Sequence, residues 1–332
     1  MAAMPKPSIE SGPVLERYHV YHAEAEVLSG QLEHPIKQPI ENYGHLLLDK
    51  TRREGLFTES IGETSVQGLI SFKAAHTRVS GSQLQNKRDV LGNDHSGWVT
   101  QSTSVLEGLN VVDVLTADRV VAQVSTTHPM VDGHVPRVTF LGTRFENLRI
   151  AGYPVEVVLN LGICGAKPEG DLTYLQDTDF LDRVQSQYDG IADAKGLPES
   201  LEKQYDAKIA YIDDLKKRAR NGSGDARNDG RNGYSKLQCS LVKSIGPIPI
   251  PGVRTFGNMI FIPDFGTVSL AEIEVGTGPS DGGFPDNSRD GSVSEPSYSN
   301  YFTLHMLDMH LGCPTSASSK VATAAANGQT HP

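Results

Sequence analysis

The residues best suited to chemistry lie on one apolar stretch, YFTLHMLDMHLG at 301–312. On a regular strand Phe302, Leu304, Met306, Asp308 and His310 share one face, and His305, Leu307 and Met309 share the other. Asp308 and His310 then have Cβ atoms about 7 Å apart, near enough to act on one ligand. An Asp that orients a His makes a general base, or a metal ligand of fixed tautomer. The segment RYHVYHAEAEVLSG at 17–30 alternates in the same way and puts His22, Glu24 and Glu26 on a single face. If the two strands lie side by side, His22, Glu24, Asp308 and His310 line one interior. Two His and two carboxylates suit zinc, iron or manganese. The competing reading places all four on the solvent side of amphipathic strands.

Other candidates are weaker. Trp98, beside Gly97 and His95, marks a loop that could bind a ligand such as a glycan. Asp281, Asp286, Asp290 and Glu295 could supply oxygen ligands for calcium on a long acidic loop, but their spacing matches no known calcium loop and a solvated turn is the preferred reading. Cys164, Cys239 and Cys313 lie 75 and 74 residues apart. An odd number at that spacing is no complete disulfide framework, and no CxxC pair suggests zinc, so buried thiols are expected, with one long-range disulfide as the alternative. A Cys–His nucleophile has no local sign of activation. The sequence holds no Gly-rich phosphate loop, G-x-S-x-G, H-E-x-x-H or EF-hand pattern.

The elements that must position these residues are mostly strands. Of 332 residues, 33 are Gly and 19 Pro, and only 21% are charged, a turn-rich profile that favours β structure. The β signal is strongest over 102–160, with Ala151-Gly152 as a hairpin break between apolar runs. The period changes at about 174. Phe180, Leu181, Val184, Tyr188 and Ile191 follow helical spacing, as do Leu201, Tyr205, Ile209, Ile212 and Leu215, with Pro198 at the start of the second helix. Lys216, Lys217, Arg218 and Arg220 complement that helix's C-terminal dipole. The net charge of −10 argues against a general nucleic-acid or anionic-membrane surface, and no apolar run approaches the ~18 residues a spanning helix needs.

Four segments taken together resemble a known group: LNVVDVLTADRVVAQVS at 109–125, VTFLGTRFENLRIAGYPV at 138–155, FGNMIFIPDFGTVSLAEIEV at 256–275 and YFTLHMLDMHLG at 301–312. They are similar to the bacterial surface-associated β proteins labelled "choice-of-anchor P". Thr116-Ala117-Asp118, Gly152-Tyr153-Pro154-Val155, Gly266-Thr267-Val268, Leu270, Glu272, Leu304 and His305 fall into register with that pattern. Ala271 and Phe302 stand where the pattern has Asn. The resemblance implies an all-β domain of undefined biochemistry and brings no catalytic residues. Glu272 and His305, both within its blocks, read as a binding pair or as a hydrogen bond between adjacent strands.

The predicted fold is mainly β, an antiparallel sandwich or partly closed barrel with an inserted α-hairpin; a right-handed β-solenoid is the alternative. Residues 1–16 are expected to be flexible, 17–173 and 234–312 to form the β domain, 174–220 the helical hairpin, 221–233 a flexible linker and 313–332 a flexible tail. The expected function is that of a non-enzymatic structural or binding protein, self-assembling or surface-associated, with a small-molecule or glycan ligand. An enzyme using acid–base or metal-assisted chemistry inside the β domain is the alternative. No cofactor is expected beyond an optional divalent metal. Sheet edges need protection, which points to a homo-oligomer. The N-terminal residues carry no apolar secretory core, so the chain as given reads as cytoplasmic, and as extracellular or cell-surface if a leader has been removed.

Overall fold

The computed structural model describes residues 18–32, 37–48, 54–84, 97–130, 135–170, 172–221, 235–279, 298–312 and 317–331. Strand β1 (Tyr18–Leu32) is followed by β2 (Gln38–Tyr43) and β3 (Leu46–Leu48), which both return along its edge. Next come β4 (Gly55–Ile61), β5 (Thr64–Val66), β6 (Ile70–Phe72) and β7 (Ala74–Leu84), then the long hairpin β8 (Gly97–Val111) and β9 (Leu115–Pro129). Short pieces follow: β10 (Arg137–Thr139), β11 (Arg144–Glu146), β12 (Arg149–Ile150), β13 (Tyr153–Pro154) and β14 (Val157–Leu159). Helices α1 (Thr178–Ala192) and α2 (Glu199–Arg220) precede β15 (Ser235–Ser240), β16 (Val242–Ile245), β17 (Arg254–Phe256) and β18 (Met259–Ile262). The long strands β19 (Gly266–Pro279), β20 (Tyr298–Leu311) and β21 (Ala317–His331) close the described chain.

These strands form two large antiparallel sheets, one ordered β17-β18-β19-β20-β21-β1-β2 and the other built around β7, β8 and β9. Strand β1 packs on β7 and β8, β21 on β8 and β9, and β20 on β9, so the two sheets lie face to face. The fold is the predicted sandwich, and neither sheet closes into a barrel among the described residues. Antiparallel ladders throughout exclude the solenoid, whose rungs pair in parallel.

Small residues meet where the sheets cross. Ala23 and Ala25 of β1, Ala324 and Ala326 of β21, Ala122 of β9 and Ser102 and Ser104 of β8 are all fully buried. The Ser104 hydroxyl donates across the gap to the carbonyl of Glu26 at 2.8 Å, and Ser102 donates to that of Glu24. Two corrections to the sequence reading arise here. The expected flexible tail is largely β21, which lies between β20 and β1 in the middle of its sheet, although 313–316 lie outside the described residues. Its run of Ala, Ser and Thr lacks bulk because the facing sheet is too close for bulk. Trp98 is 4% exposed and stacks on His19 with ring centroids 5.3 Å apart, so it is a core residue and no open binding loop.

The alternation of buried and outward side chains shifts in step across four strands. Glu272, His305, Thr323 and Glu26 form one row across β19, β20, β21 and β1, and Leu270, Leu307, Val321 and Leu28 form the next. Between the rows, Ala271, Met306, Ala322 and Val27 drop out of the ladders, and they are buried together with the Leu and Val that adjoin them. Ala271 and Ala322 adopt φ of 47° and 51°, the left-handed region that costs an L-residue about 1–2 kcal/mol. The facing sheet shifts likewise at Gly108, φ 66°, between the Glu107–Arg119 and Leu109–Ala117 pairs.

The helical stripe of α1 is as predicted, with Phe180, Leu181, Val184, Tyr188 and Ile191 all buried. In α2, Tyr205, Ile212 and Leu215 are buried; Pro198 serves as N-cap, one residue before its expected place inside the helix. Helix α1 seals the outer edge of β15. The Gln187 amide donates to the Ser240 carbonyl at 2.8 Å and accepts from the Ser240 N–H at 3.1 Å, while the Tyr188 hydroxyl donates to the Gln238 carbonyl. One side chain and one hydroxyl thus supply what a neighbouring strand's backbone would. The basic end of α2 is tied down on the helices: Lys216 pairs with Asp182, and Arg218 pairs with Asp214 one turn back. The expected N-terminal flexible segment lies outside the described residues, as do the linker beyond Asn221 and the acidic loop with its calcium candidates.

A branched side chain tests the shared shift. Ala322→Val puts a β-branched residue into a buried left-handed position and should lower the unfolding free energy by about 3 kcal/mol. Ala322→Gly accepts the dihedral and loses one methyl, so it should stay within about 1 kcal/mol of the parent. Urea unfolding of both variants checks this; equal losses would show that the backbone conformation is not the source.

Candidate functional site

The shift decides which polar groups meet. Strict alternation puts His305 and Asp308 on opposite faces, but the residue lost from the ladder at Met306 brings both to the outer face of the large sheet. Lys320 of β21 pairs with Asp308 in the ladder, and its ammonium donates to His305 Nε2 at 3.1 Å. His305 Nδ1 therefore carries the proton and donates to Thr323 Oγ1 at 3.0 Å. Burial, helped by the Lys320 charge, pushes the imidazole from its ordinary 6.5 down to about 3. Glu26 at the far end of the row is 8% exposed, and burial raises its carboxyl pKa against the pull of Ser29 and His45.

Several predicted site residues come out differently. Glu272 and His305 lie directly opposite on adjacent strands, as expected, but both ring nitrogens of His305 are taken by β21 and none reaches Glu272. Asp308 and His310 do share a face, with His310 Nε2 3.6 Å from the Asp308 carboxylate, yet the imidazole is 66% exposed. His22 and Glu24 do not join them. Strand β21 stands between β1 and β20, and the row of His22 meets β20 at Tyr301, nine residues from His310, or about 30 Å along the strand. Glu24 instead accepts from His45 Nε2 at 2.8 Å. Among the described residues no three His, Cys, Asp or Glu side chains are placed to hold a metal ion.

Glu272 faces a different neighbourhood, beneath the helical hairpin. A cleft of about 450 Å³ lies between α1 and the β15–β16 and β17–β18 segments, walled by Asn160, Arg183, Gln187, Gly190, Lys243 and Asn258. Its wall is built by backbone satisfaction. Arg183 donates to the carbonyls of Ile163 at 2.7 Å and Cys164 at 2.9 Å, holding the 160–165 turn. The Ser240 hydroxyl donates to the carbonyls of Leu270 and Ala271, and Asn258 Nδ2 to Leu270 at 3.2 Å. Gln187, Ile191, Ser240 and Asn258 also border a smaller chamber below, with room for about one water, where Glu272, Lys208, Tyr188 and Tyr205 converge. Burial raises the Glu272 carboxyl pKa, against the nearby Lys208 charge. Burial raises the Cys239 thiol as well, and Cys164 is pushed up to about 12; both are free, buried thiols without activation, and Cys313 lies outside the described residues.

Sequence reasoning singled out Glu272 but missed Lys208, Gln187, Asn258 and Lys320. Lys208 sits between apolar stripe positions of α2 and reads as solvent-facing until the rings of Tyr188 and Tyr205 are folded over it. A second cleft of about 470 Å³, lined by Leu69, Val112, Ile250, Ile262 and Phe265, is apolar except for Asp264. Val112 there is exposed with φ 43°. No described helix is long and apolar enough to cross a membrane.

A family model described as Domain of unknown function (DUF8256) matches residues 19–276, well over half of the chain. No curated protein and no solved structure matches the chain. The matched span contains the whole cleft and its chamber, whereas the His305–Lys320 cluster draws on β20 and β21 beyond it.

The neutral His305 has a measurable consequence. The unfolded chain takes up its proton below about pH 6.5, while the fold resists uptake down to about pH 3. The stability from this residue is therefore full above that window and is lost as the pH falls through it. Urea midpoints at about pH 7.5, 5.5 and 4.5 should fall more steeply for the native chain than for His305→Gln. Parallel slopes would mean that the imidazole is protonated in the fold.

Proposed function

The chain belongs to the DUF8256 family, a family of unknown function, and from that premise we propose that it is a binding protein holding a small polar ligand in the cleft between α1 and the β15 edge. The donor-lined wall of the cleft carries this reading, and Gly190 stands exposed at its mouth. That glycine sits within α1, where glycine costs about 1 kcal/mol relative to alanine, and a Cβ built on it meets nothing within 4 Å. Neither packing nor the cleft excludes a methyl at this exposed position, so only a larger side chain placed here reaches over the mouth. Gly257, on the opposite wall, has φ 57°, and a Cβ there would lie 2.4 Å from Ile191.

Hydrogen-bonding capacity supports an acceptor-rich ligand. Gln187 is committed to Ser240, and Asn160 Oδ1 accepts from the Gly162 N–H. The Asn160 amide hydrogens, the Lys243 ammonium and the remaining N–H groups of Arg183 point the balance toward donors. This reading takes up the binding half of the sequence-based expectation and assigns the ligand to a small molecule.

Gly190→Ala should raise stability by about 0.5–1 kcal/mol and admit the same ligands, while Gly190→Leu should fill the mouth of the cleft without harming the fold. A thermal-shift screen of small carboxylates, keto acids and sugars on the native chain and on Gly190→Leu checks this. Ligands that stabilise the first and not the second support the cleft. Ligands that shift both equally place binding elsewhere.

A further inference from the structure

We propose that Lys208 is a covalent anchor for the ligand of this cleft, its Nζ condensing with a small aldehyde or ketone to an iminium that has Glu272 as proton donor and counter-ion. This inference rests on the cleft reading above and adds the ligand class.

The geometry sets Lys208 apart from the other partly buried lysines. Lys216 is ion-paired to Asp182, and Lys320 donates to His305. Lys208 makes no hydrogen bond or ion pair among the described residues. Its Nζ lies over two ring faces, 4.9 Å from the centroid of Tyr205 and 5.5 Å from that of Tyr188. Both phenols face away from it, Tyr188 donating to Gln238 and Tyr205 turned to the Met259 sulfur. Glu272 borders the same chamber without pairing directly, which leaves a gap between amine and carboxyl. That gap suits the oxygen of a carbonyl bonded at Nζ, and the chamber adjoins the donor-lined cleft.

The step balances with these two groups alone. The Nζ lone pair attacks the carbonyl carbon, a C–N bond forms as the C=O π bond breaks, and one Nζ proton passes to the oxygen to give the C–OH of a carbinolamine. Glu272, carrying a proton, delivers it to that hydroxyl; the C–O bond breaks and water leaves. The products are an iminium on Lys208, one water and the Glu272 carboxylate beside the new cation. Burial lowers the Lys208 ammonium pKa and raises that of the Glu272 carboxyl, and both directions favour the reactive forms.

Reductive trapping on the full-length protein tests the proposal. Glyoxylate with cyanoborohydride at neutral pH leaves a carboxymethyl group on each lysine that forms an imine, and peptide mass mapping compares Lys208 with Lys203, exposed on the same helix. Lys208 should be labelled at least about tenfold faster than Lys203, and Glu272→Gln should cut that rate about tenfold or more while leaving Lys203 unchanged. Lys208→Arg keeps the charge and the fold and should abolish the site. Labelling of Lys208 no faster than Lys203, or unchanged in Glu272→Gln, overturns the proposal. Gly190→Leu separates the two readings: slower Lys208 labelling supports both, whereas fast labelling in both proteins keeps the covalent anchor and removes the cleft as its route.

Discussion

The structure depends on how closely its two sheets approach. Stacked sheets ordinarily lie about 10 Å apart with interleaved large side chains. Here the Ser102 and Ser104 hydroxyls reach carbonyls on the opposite sheet, and the fully buried residues of β1 and β21 include Ala23, Ala25, Ala324 and Ala326. Each such hydrogen bond contributes about 1 kcal/mol net, less than a buried leucine would. Their effect is geometric, because they fix a separation that large residues cannot enter. Bulk is displaced to the flanks, where Phe72, Leu109, Leu115, Phe140 and Phe302 fill the wider gap.

The helical hairpin answers a different constraint. Among the described residues strand β15 pairs only with β19, so its other edge presents backbone groups that need partners. Gln187 and Tyr188 satisfy those groups from α1, and a helix carries side chains where a strand would carry backbone. The substitution leaves space beneath α1, and Glu272 and Lys208 face each other across it. The same packing that closes the sheet edge thus makes the chamber, and the neighbouring residues set its chemistry.

Much of this was legible in the chain, and the exceptions share causes. The α1 stripe and the Ala151-Gly152 turn, with φ of 46° and 82°, follow from periodicity and turn chemistry alone. The strand β21 was hidden because sequence patterns equate a buried strand with large apolar residues, and among its buried positions only Val321 is large, beside Ser319, Ala322, Ala324 and Ala326. The pairing of His305 with Asp308 on one face was hidden because left-handed backbone is ordinarily flagged by Gly or Asn, and alanine takes that conformation at 271 and 322. Lys208 was hidden because its setting comes from a second helix and a strand distant in sequence.

The shift shared by β19, β20, β21 and β1 also bears on how the sheet assembles. A flat ladder of alternating residues can slide by two positions and still bury its apolar face. With a notch in every strand the slide is forbidden, since a displaced strand would carry its notch against a regular stretch of its neighbour and orphan backbone groups on both. Three successive strands and the remote β1 therefore act like keys cut at one height, and only one alignment lets them all turn.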